Sequence, residues 1–403
     1  MTLRAIPLDA APIEVVGALE LRRSPTGFSP RRLPAWTASQ IPDAFMDLIV
    51  QMTSGVRLAF RTTSRCIEVD AMPTAIRLEG ELRAPTVFDL VVAGQRHDSR
   101  ATDGGNTIVV DMSRVPFGAR LEPGAPCTIR FDDLPPGMKD MELWLPQAAA
   151  VELRALRIDA GAEIAPIERT GPRWVHYGSS ISHCMEAASP LGVWPAVAAR
   201  RAGVRVHSLG FAGQCHLDGF VARTIRELDA DYISAKVGIN VVNADSLKER
   251  TFTPALHAFL DTIREGKPLT PLLLVSPIVC PVAEDHVGPT VRVGPFMDLA
   301  ARRGLATRDG CVAVLDGPAA LRPGSLTLQR IRELVAGVVE KRRALGDANL
   351  HYLDGLALFG EADVADLPDG LHPNAAGYAR IGERFAERAF GAGGAFARVR
   401  PST

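Results

Sequence analysis

Apolar and polar residues alternate with period two through the first part of this chain, and the alternation stops near Pro172. Gly55–Thr62, Cys66–Asp70, Thr86–Val92, Thr107–Met112, Met141–Pro146 and Val151–Ile158 all carry this pattern. Side chains of a strand point to opposite faces in turn, so such segments bury one face and wet the other. Ala93-Gly94, Asp103-Gly104-Gly105 and Pro135-Pro136-Gly137 separate them as turns. Many short strands with this punctuation predict an all-β sandwich up to about Ile164.

After Pro172 short apolar strands alternate with helical stretches. Trp174–Tyr177, Val204–Leu209, Asp231–Val237, Leu272–Ser276 and Asn349–Leu353 read as strands. Helices are expected around Val193–Ala202, Pro254–Glu265, Leu326–Leu345 and Ala375–Phe390. Such alternation implies a parallel sheet covered on both faces, with ligands at the carboxyl ends of its strands. Two domains follow, 1–165 and 166–403, with the boundary between about Asp159 and Pro172. The Gly- and Pro-rich stretch from Pro281 to Gly324 reads as a long insertion over the site.

Composition narrows the function. Forty-five basic and 46 acidic residues give a net charge of -1, so nothing favours a nucleic acid or an anionic membrane as partner. No apolar run approaches the roughly 20 residues of a membrane span, and the first residues do not read as a signal peptide. The cytoplasm is the expected compartment. The six cysteines are far apart with no CxxC pair, which favours reduced thiols.

Four islands stand at strand ends in the second half. Gly178-Ser179-Ser180-Ile181-Ser182 follows its first strand and presents a hydroxyl at a strand-to-helix turn. The G-x-S-x-G elbow occurs nowhere. Gly210-Phe211-Ala212-Gly213 follows the second strand, and its glycines let a backbone N–H approach an oxyanion. Gly238-Ile239-Asn240 follows the third, where an uncharged side-chain amide is a good oxyanion donor. Asp369-Gly370-Leu371-His372-Pro373-Asn374 precedes the last helix. There an Asp three residues before a His can orient the imidazole that takes the Ser180 proton. Each island alone is a common turn or cap; together they supply nucleophile, donors, base and orienter.

These islands resemble the blocks of the GDSL/SGNH hydrolase family, over about Arg173 to Phe390, with Asp369–Asn374 and the following Gly377-Tyr378 the most specific part. The resemblance implies a flavodoxin-like three-layer α/β domain, here preceded by a jelly-roll-like sandwich. It implies Ser180 as nucleophile, Asp369 and His372 as its partners, and Ser180, Gly213 and Asn240 as oxyanion donors, with no cofactor and no metal. Two positions depart from the family: Ser179 stands where it has Asp, and Val241 where it usually has Asp. Both acids are mainly structural, so altered loop support is expected rather than lost chemistry.

The expected activity is hydrolysis of a small-molecule carboxylic ester. The two-domain layout is also similar to carbohydrate esterases and to polyketide-tailoring acyltransferases. Transfer of an acyl group from a thioester to a natural-product or sugar hydroxyl is therefore the alternative. A catalytically weak carbohydrate-binding protein is the second alternative, and the intact set of five residues argues against it. His183, Cys184, Cys215 and His216 flank the first two islands and could be soft zinc ligands, but packing around the site is the better reading of their spacing. His176 and His207 lie in apolar strands and read as core. Phe211, Met185, Ile278 and Val279 read equally as an acyl pocket or as core. Arg302-Arg303 reads as a solvated face.

Overall fold

The computed structural model describes residues 2–111, 118–168, 170–292, 305–307, 312–315 and 323–397. Within them the chain forms two compact units. One comprises Met1–Thr170 with Ala187–Val193, the other Gly171–Glu186 with Trp194–Thr403.

The first unit is a β-sandwich. An eight-stranded sheet runs Gly118–Glu122, Asn106–Asp111, Ile67–Leu78, Ala149–Asp159, Phe28–Arg31, Glu20–Arg23 along its main path. A six-stranded sheet runs Ile164–Ala165, Arg57–Thr62, Lys139–Trp144, Thr86–Val92, Gln95–Thr102. Ile67–Leu78 alternates buried and half-buried residues along nearly its whole length, as the sequence pattern requires. Phe60, Phe88, Phe131, Met141 and Leu153 are fully enclosed in the shared core. Each such side chain contributes about 1.5–3 kcal/mol of burial. An α-helix, Ala44–Gln51, interrupts the strands. Asp43 caps it by accepting from the Met46 N–H at 2.7 Å, and Met46, Ile49 and Val50 form its buried stripe.

The second unit holds a five-stranded parallel sheet. Its strands are β1 (Arg173–Gly178), β2 (Arg205–Gly210), β3 (Tyr232–Lys236), β4 (Leu272–Val275) and β5 (Leu350–Leu353). They lie in the order β2-β1-β3-β4-β5, with every neighbouring pair parallel. This is the flavodoxin-like order, in which the chain reverses its winding between β1 and β3. The α-helices among the described residues are α1 (Ser180–His183), α2 (Trp194–Ala202), α3 (Gly219–Glu227), α4 (Ile239–Ala244), α5 (Glu249–Gly266), α6 (Leu328–Ala344) and α7 (Ala375–Phe385). α5 begins five residues before Pro254, the residue at which the sequence reading begins it. Thr251 Oγ1 accepts from the Lys248 N–H at 3.0 Å, and this local bond outweighs the proline as a start signal.

α7 packs on β1 through aromatic rings. Trp174 stacks on Phe385 with centroids 5.0 Å apart, and Trp194 of α2 lies 5.0 Å from the same Phe385. Both tryptophans are fully buried. Three short strands, Thr290–Arg292, Leu305–Thr307 and Val312–Leu315, pair antiparallel inside the Pro281–Gly324 stretch. The expected Arg302-Arg303 face lies outside the described residues. No helix among the described residues is long and apolar enough to cross a membrane.

Candidate active site

Each island falls where the sheet places it. β1 ends at Gly178, and Ser180 opens α1 immediately afterwards. His176 ties that helix to the sheet: its Nε2 lies 2.8 Å from Ser182 Oγ and its Nδ1 2.7 Å from Ser234 Oγ on β3. His176 is wholly buried; desolvation, aided by the nearby Lys236 charge, pushes its pKa down to about 3, so the ring is neutral. It is a structural histidine, as expected, whereas His207 is only half-buried. β2 ends on Gly210 for a steric reason. A Cβ there would sit 2.5 to 2.6 Å from the backbone of Ser182 and His183, too close for any other residue.

His372 reaches Ser180 from the loop before α7. Its Nε2 lies 2.9 Å from Ser180 Oγ, and its Nδ1 lies 2.7 Å from Asp369 Oδ2. The other Asp369 oxygen accepts from the backbone N–H of Leu371 at 2.9 Å and of His372 at 2.6 Å. Burial by itself would raise the Asp369 carboxyl. The hydrogen bond and charge of His372, with the two backbone donors, outweigh it and hold the pKa at about 2. The carboxylate is thus ionised through the neutral range. Capping of α7 falls to Asn374, whose side chain accepts from the Gly377 N–H at 2.9 Å, so Asp369 is free of that duty.

Asn240 sits in α4 after the β3 strand and is buried. Its Oδ1 accepts from the Cys215 N–H at 3.0 Å, which fixes the amide with its NH₂ as the remaining polar end. Gly213 lies in the loop after β2 with φ +70, a left-handed conformation that glycine adopts without strain. Its carbonyl faces His216 Nε2 at 3.1 Å.

Three of the four soft residues have partners of their own. Cys184 Sγ donates to the Ile181 carbonyl and Cys215 Sγ to the Lys236 carbonyl, while His216 Nδ1 meets Ser246 Oγ at 2.9 Å. Among the described residues no three His, Cys, Asp or Glu side chains form a group that could hold a metal. The two departures from the family pattern are both buried: Ser179 Oγ has no hydrogen-bond partner among the described residues, and Val241 packs in the core. Phe211, Ile278 and Val279 are buried too, and Val279 also lines a cavity of about 760 Å³. Gly370 of the His372 loop lines the same cavity.

Glu186 is the residue the sequence reading missed. Its Oε1 lies 3.9 Å from His372 Nδ1, and its Oε2 accepts from Tyr378 OH at 2.8 Å. No spacing signal links a residue just after the first block to a histidine 186 positions later.

Residues 176–380 match the model of the GDSL-like lipase/acylhydrolase family. The chain belongs to that family. It is 30% identical to the salicylyl-acyltransferase SsfX3 from a tetracycline biosynthetic pathway, over 96% of each chain and with a TM-score of 0.77. A GDSL-like lipase candidate from Bacteroides ovatus is 19% identical over 95% of this chain and 96% of that one (TM-score 0.63). An active-site mutant of a family two carbohydrate esterase from Clostridium thermocellum is 12% identical over 93% and 96% (TM-score 0.55). These last two share the fold. No curated protein matches the chain. As a GDSL/SGNH protein it is an esterase or acyltransferase, built as an α/β hydrolase domain with a β-sandwich before it.

Proposed function

We propose that this GDSL-family protein transfers acyl groups through a covalent acyl–Ser180 intermediate, with hydrolysis of a small carboxylic ester as its basic reaction. The observation that carries the reading is the 2.9 Å approach of His372 Nε2 to Ser180 Oγ, with Asp369 on the opposite ring nitrogen at 2.7 Å. A serine hydroxyl is a poor nucleophile until a base accepts its proton. In this reading His372 takes the proton as Ser180 Oγ attacks the acyl carbon. Asp369 stabilises the imidazolium and keeps Nε2 turned to the serine. The oxyanion is met by the Asn240 amide and by the backbone N–H groups of Gly213 and Ser180. Collapse of the tetrahedral intermediate expels the alcohol or thiol, which leaves with the His372 proton. In the second half an acceptor O–H gives its proton to His372 and its oxygen to the acyl carbon; as that second tetrahedral intermediate collapses, the acyl–Oγ bond breaks and His372 returns the proton to Ser180.

The same geometry serves water or another hydroxyl as acceptor, so a second reading stands beside the first. Here the acyl group passes from a thioester donor to a hydroxyl of a larger molecule, a polyketide or a sugar. The observation favouring it is likeness to a salicylyl-acyltransferase along the whole chain rather than over the hydrolase domain alone. In both readings residues 166–403 form the catalytic domain.

The test combines turnover with labelling. Wild-type protein should hydrolyse p-nitrophenyl acetate and gain one fluorophosphonate adduct on Ser180. Ser180→Ala should lose both, with kcat down about 1,000-fold or more. Labelling that persists in Ser180→Ala overturns the assignment. A panel of acyl thioesters with and without added alcohols, read by product mass, separates hydrolysis from transfer.

A further inference from the structure

We infer that Glu186, tethered by Tyr378, is a positioning residue for His372: a second carboxylate that stabilises the imidazolium formed when Ser180 gives up its proton. The inference rests on the Ser180–His372 reading above. Its basis is geometric. Asp369 Oδ2 is hydrogen-bonded to His372 Nδ1 at 2.7 Å, while Glu186 Oε1 stands 3.9 Å from the same nitrogen. The longer distance excludes a hydrogen bond but leaves a strong charge interaction. Glu186 does not reach this place by chance of rotamer. Tyr378 projects from α7, its ring fully buried, and its hydroxyl donates to Glu186 Oε2 at 2.8 Å.

A buried tyrosine hydroxyl that donates to a partly exposed carboxylate commits α7 to holding that carboxylate beside the ring. Burial, then the Glu186 charge, raises the Tyr378 hydroxyl well above its usual range, so it keeps the donor proton. The neighbouring Cys184 thiol is likewise pushed up by burial and stays neutral. Among the described residues, two carboxylates stand beside His372 Nδ1, Asp369 from its own loop and Glu186 from the segment after α1. Two anions beside one neutral imidazole repel each other, and that repulsion is relieved when the ring is protonated. Glu186 thus favours the charged form that the attack produces. It acts through His372 and touches no reacting atom.

The sign of the effect is fixed. An anion that favours the imidazolium raises the pH at which His372 becomes a free base. Removing it should move the acid limb of kcat/KM to lower pH and slow the acylation step. With the Glu186 side chain 38% exposed, solvent screens part of the interaction, so the shift should be about half a pH unit.

The experiment uses the full chain with p-nitrophenyl acetate, from pH 5 to 9. Glu186→Gln keeps an acceptor for Tyr378 and removes the charge. It should move the acid limb down by about half a unit and lower plateau kcat roughly three- to tenfold. Glu186→Asp, which keeps the charge, should leave the limb near its wild-type position. In an Asp369→Asn background Glu186→Gln should cost more than it does in wild type, because the remaining carboxylate then carries the stabilisation alone. An unmoved acid limb in Glu186→Gln overturns the role of Glu186, provided turnover still depends on Ser180 and His372. Turnover that survives Ser180→Ala overturns the underlying reading instead.

Discussion

Gln147 of the β-sandwich donates its side-chain amide to the carbonyl of Ala187 at 2.7 Å, fastening the segment that follows Glu186 in sequence. The Leu191 N–H, four residues on, donates to the buried Asp89 carboxylate at 2.9 Å. Both acceptor and donor segments lie in the first unit, so a stretch of chain shortly after α1 is held by sandwich side chains. Gln147→Ala should leave the Ala187 carbonyl buried without this donor and cost about 1–3 kcal/mol in urea unfolding. It should also lower kcat severalfold, since Glu186 and α1 are the next residues back along the chain. Full activity with lowered stability would show that the clamp serves folding alone.

The oxyanion assignment makes a sharper claim. Asn240→Ala should reduce kcat about 100- to 1,000-fold with little change in KM, as expected of a contact made only in the transition state. The same substitution strips the acceptor from the Cys215 N–H, so stability should fall as well. Steady-state kinetics at a temperature well below Tm separate the two effects. A change confined to KM would remove Asn240 from the oxyanion site.

Much of this was legible in the sequence because it depends on periodicity. The alternation in Ile67–Leu78 and the apolar runs at β1, β3 and β4 report the face each side chain takes, and the sheet follows. The reactive islands were legible because a doubly wound sheet gathers its strand ends at one place. The sandwich helix Ala44–Gln51 was missed, since eight residues give barely two turns of pattern and its Asp43 cap was the main signal. Glu186 was missed for a deeper reason. Its meaning comes from Tyr378, which is 192 residues away and reaches it only through the packing of α7 on β1. The assignment of Ala187–Val193 to the first unit is of the same kind, set by tertiary hydrogen bonds and by nothing periodic.

His176 makes the fold sensitive to acid. Its pKa of about 3 in the folded protein lies far below the roughly 6.5 of an exposed imidazole. The unfolded chain therefore binds a proton that the folded one refuses between these values. Stability is fully present above about pH 6.5 and falls as the pH drops toward 3. His176→Gln should flatten the decline of Tm over that window, even if it lowers Tm at pH 7 by disturbing the bonds to Ser182 and Ser234. An unchanged slope of Tm against pH would show that other groups set the acid limit.

The proton relay itself is tested by pairing His372 and Asp369. His372 must be neutral to accept the Ser180 proton, so kcat/KM should rise with pH and level off above an apparent pKa of about 6–7. Asp369, held at about pKa 2, stays ionised across that whole range and contributes no limb of its own above pH 4. It also contributes stability that is present above its unfolded pKa of about 3.9 and is lost as pH falls through 2. His372→Ala should cost about 1,000-fold or more in kcat, and Asp369→Asn less, because the ring retains its 2.9 Å approach to Ser180 in part of the population. The asparagine cannot hold the imidazolium by charge, so its residual activity should show an acid limb moved to lower pH. The backbone bonds to Leu371 and His372 survive in Asp369→Asn through the retained carbonyl oxygen, which keeps the loop in shape. A variant with reduced Tm but wild-type kcat would mean that Asp369 only shapes this loop, and that another carboxylate serves His372; Glu186, 3.9 Å from the same nitrogen, would then be the first to replace.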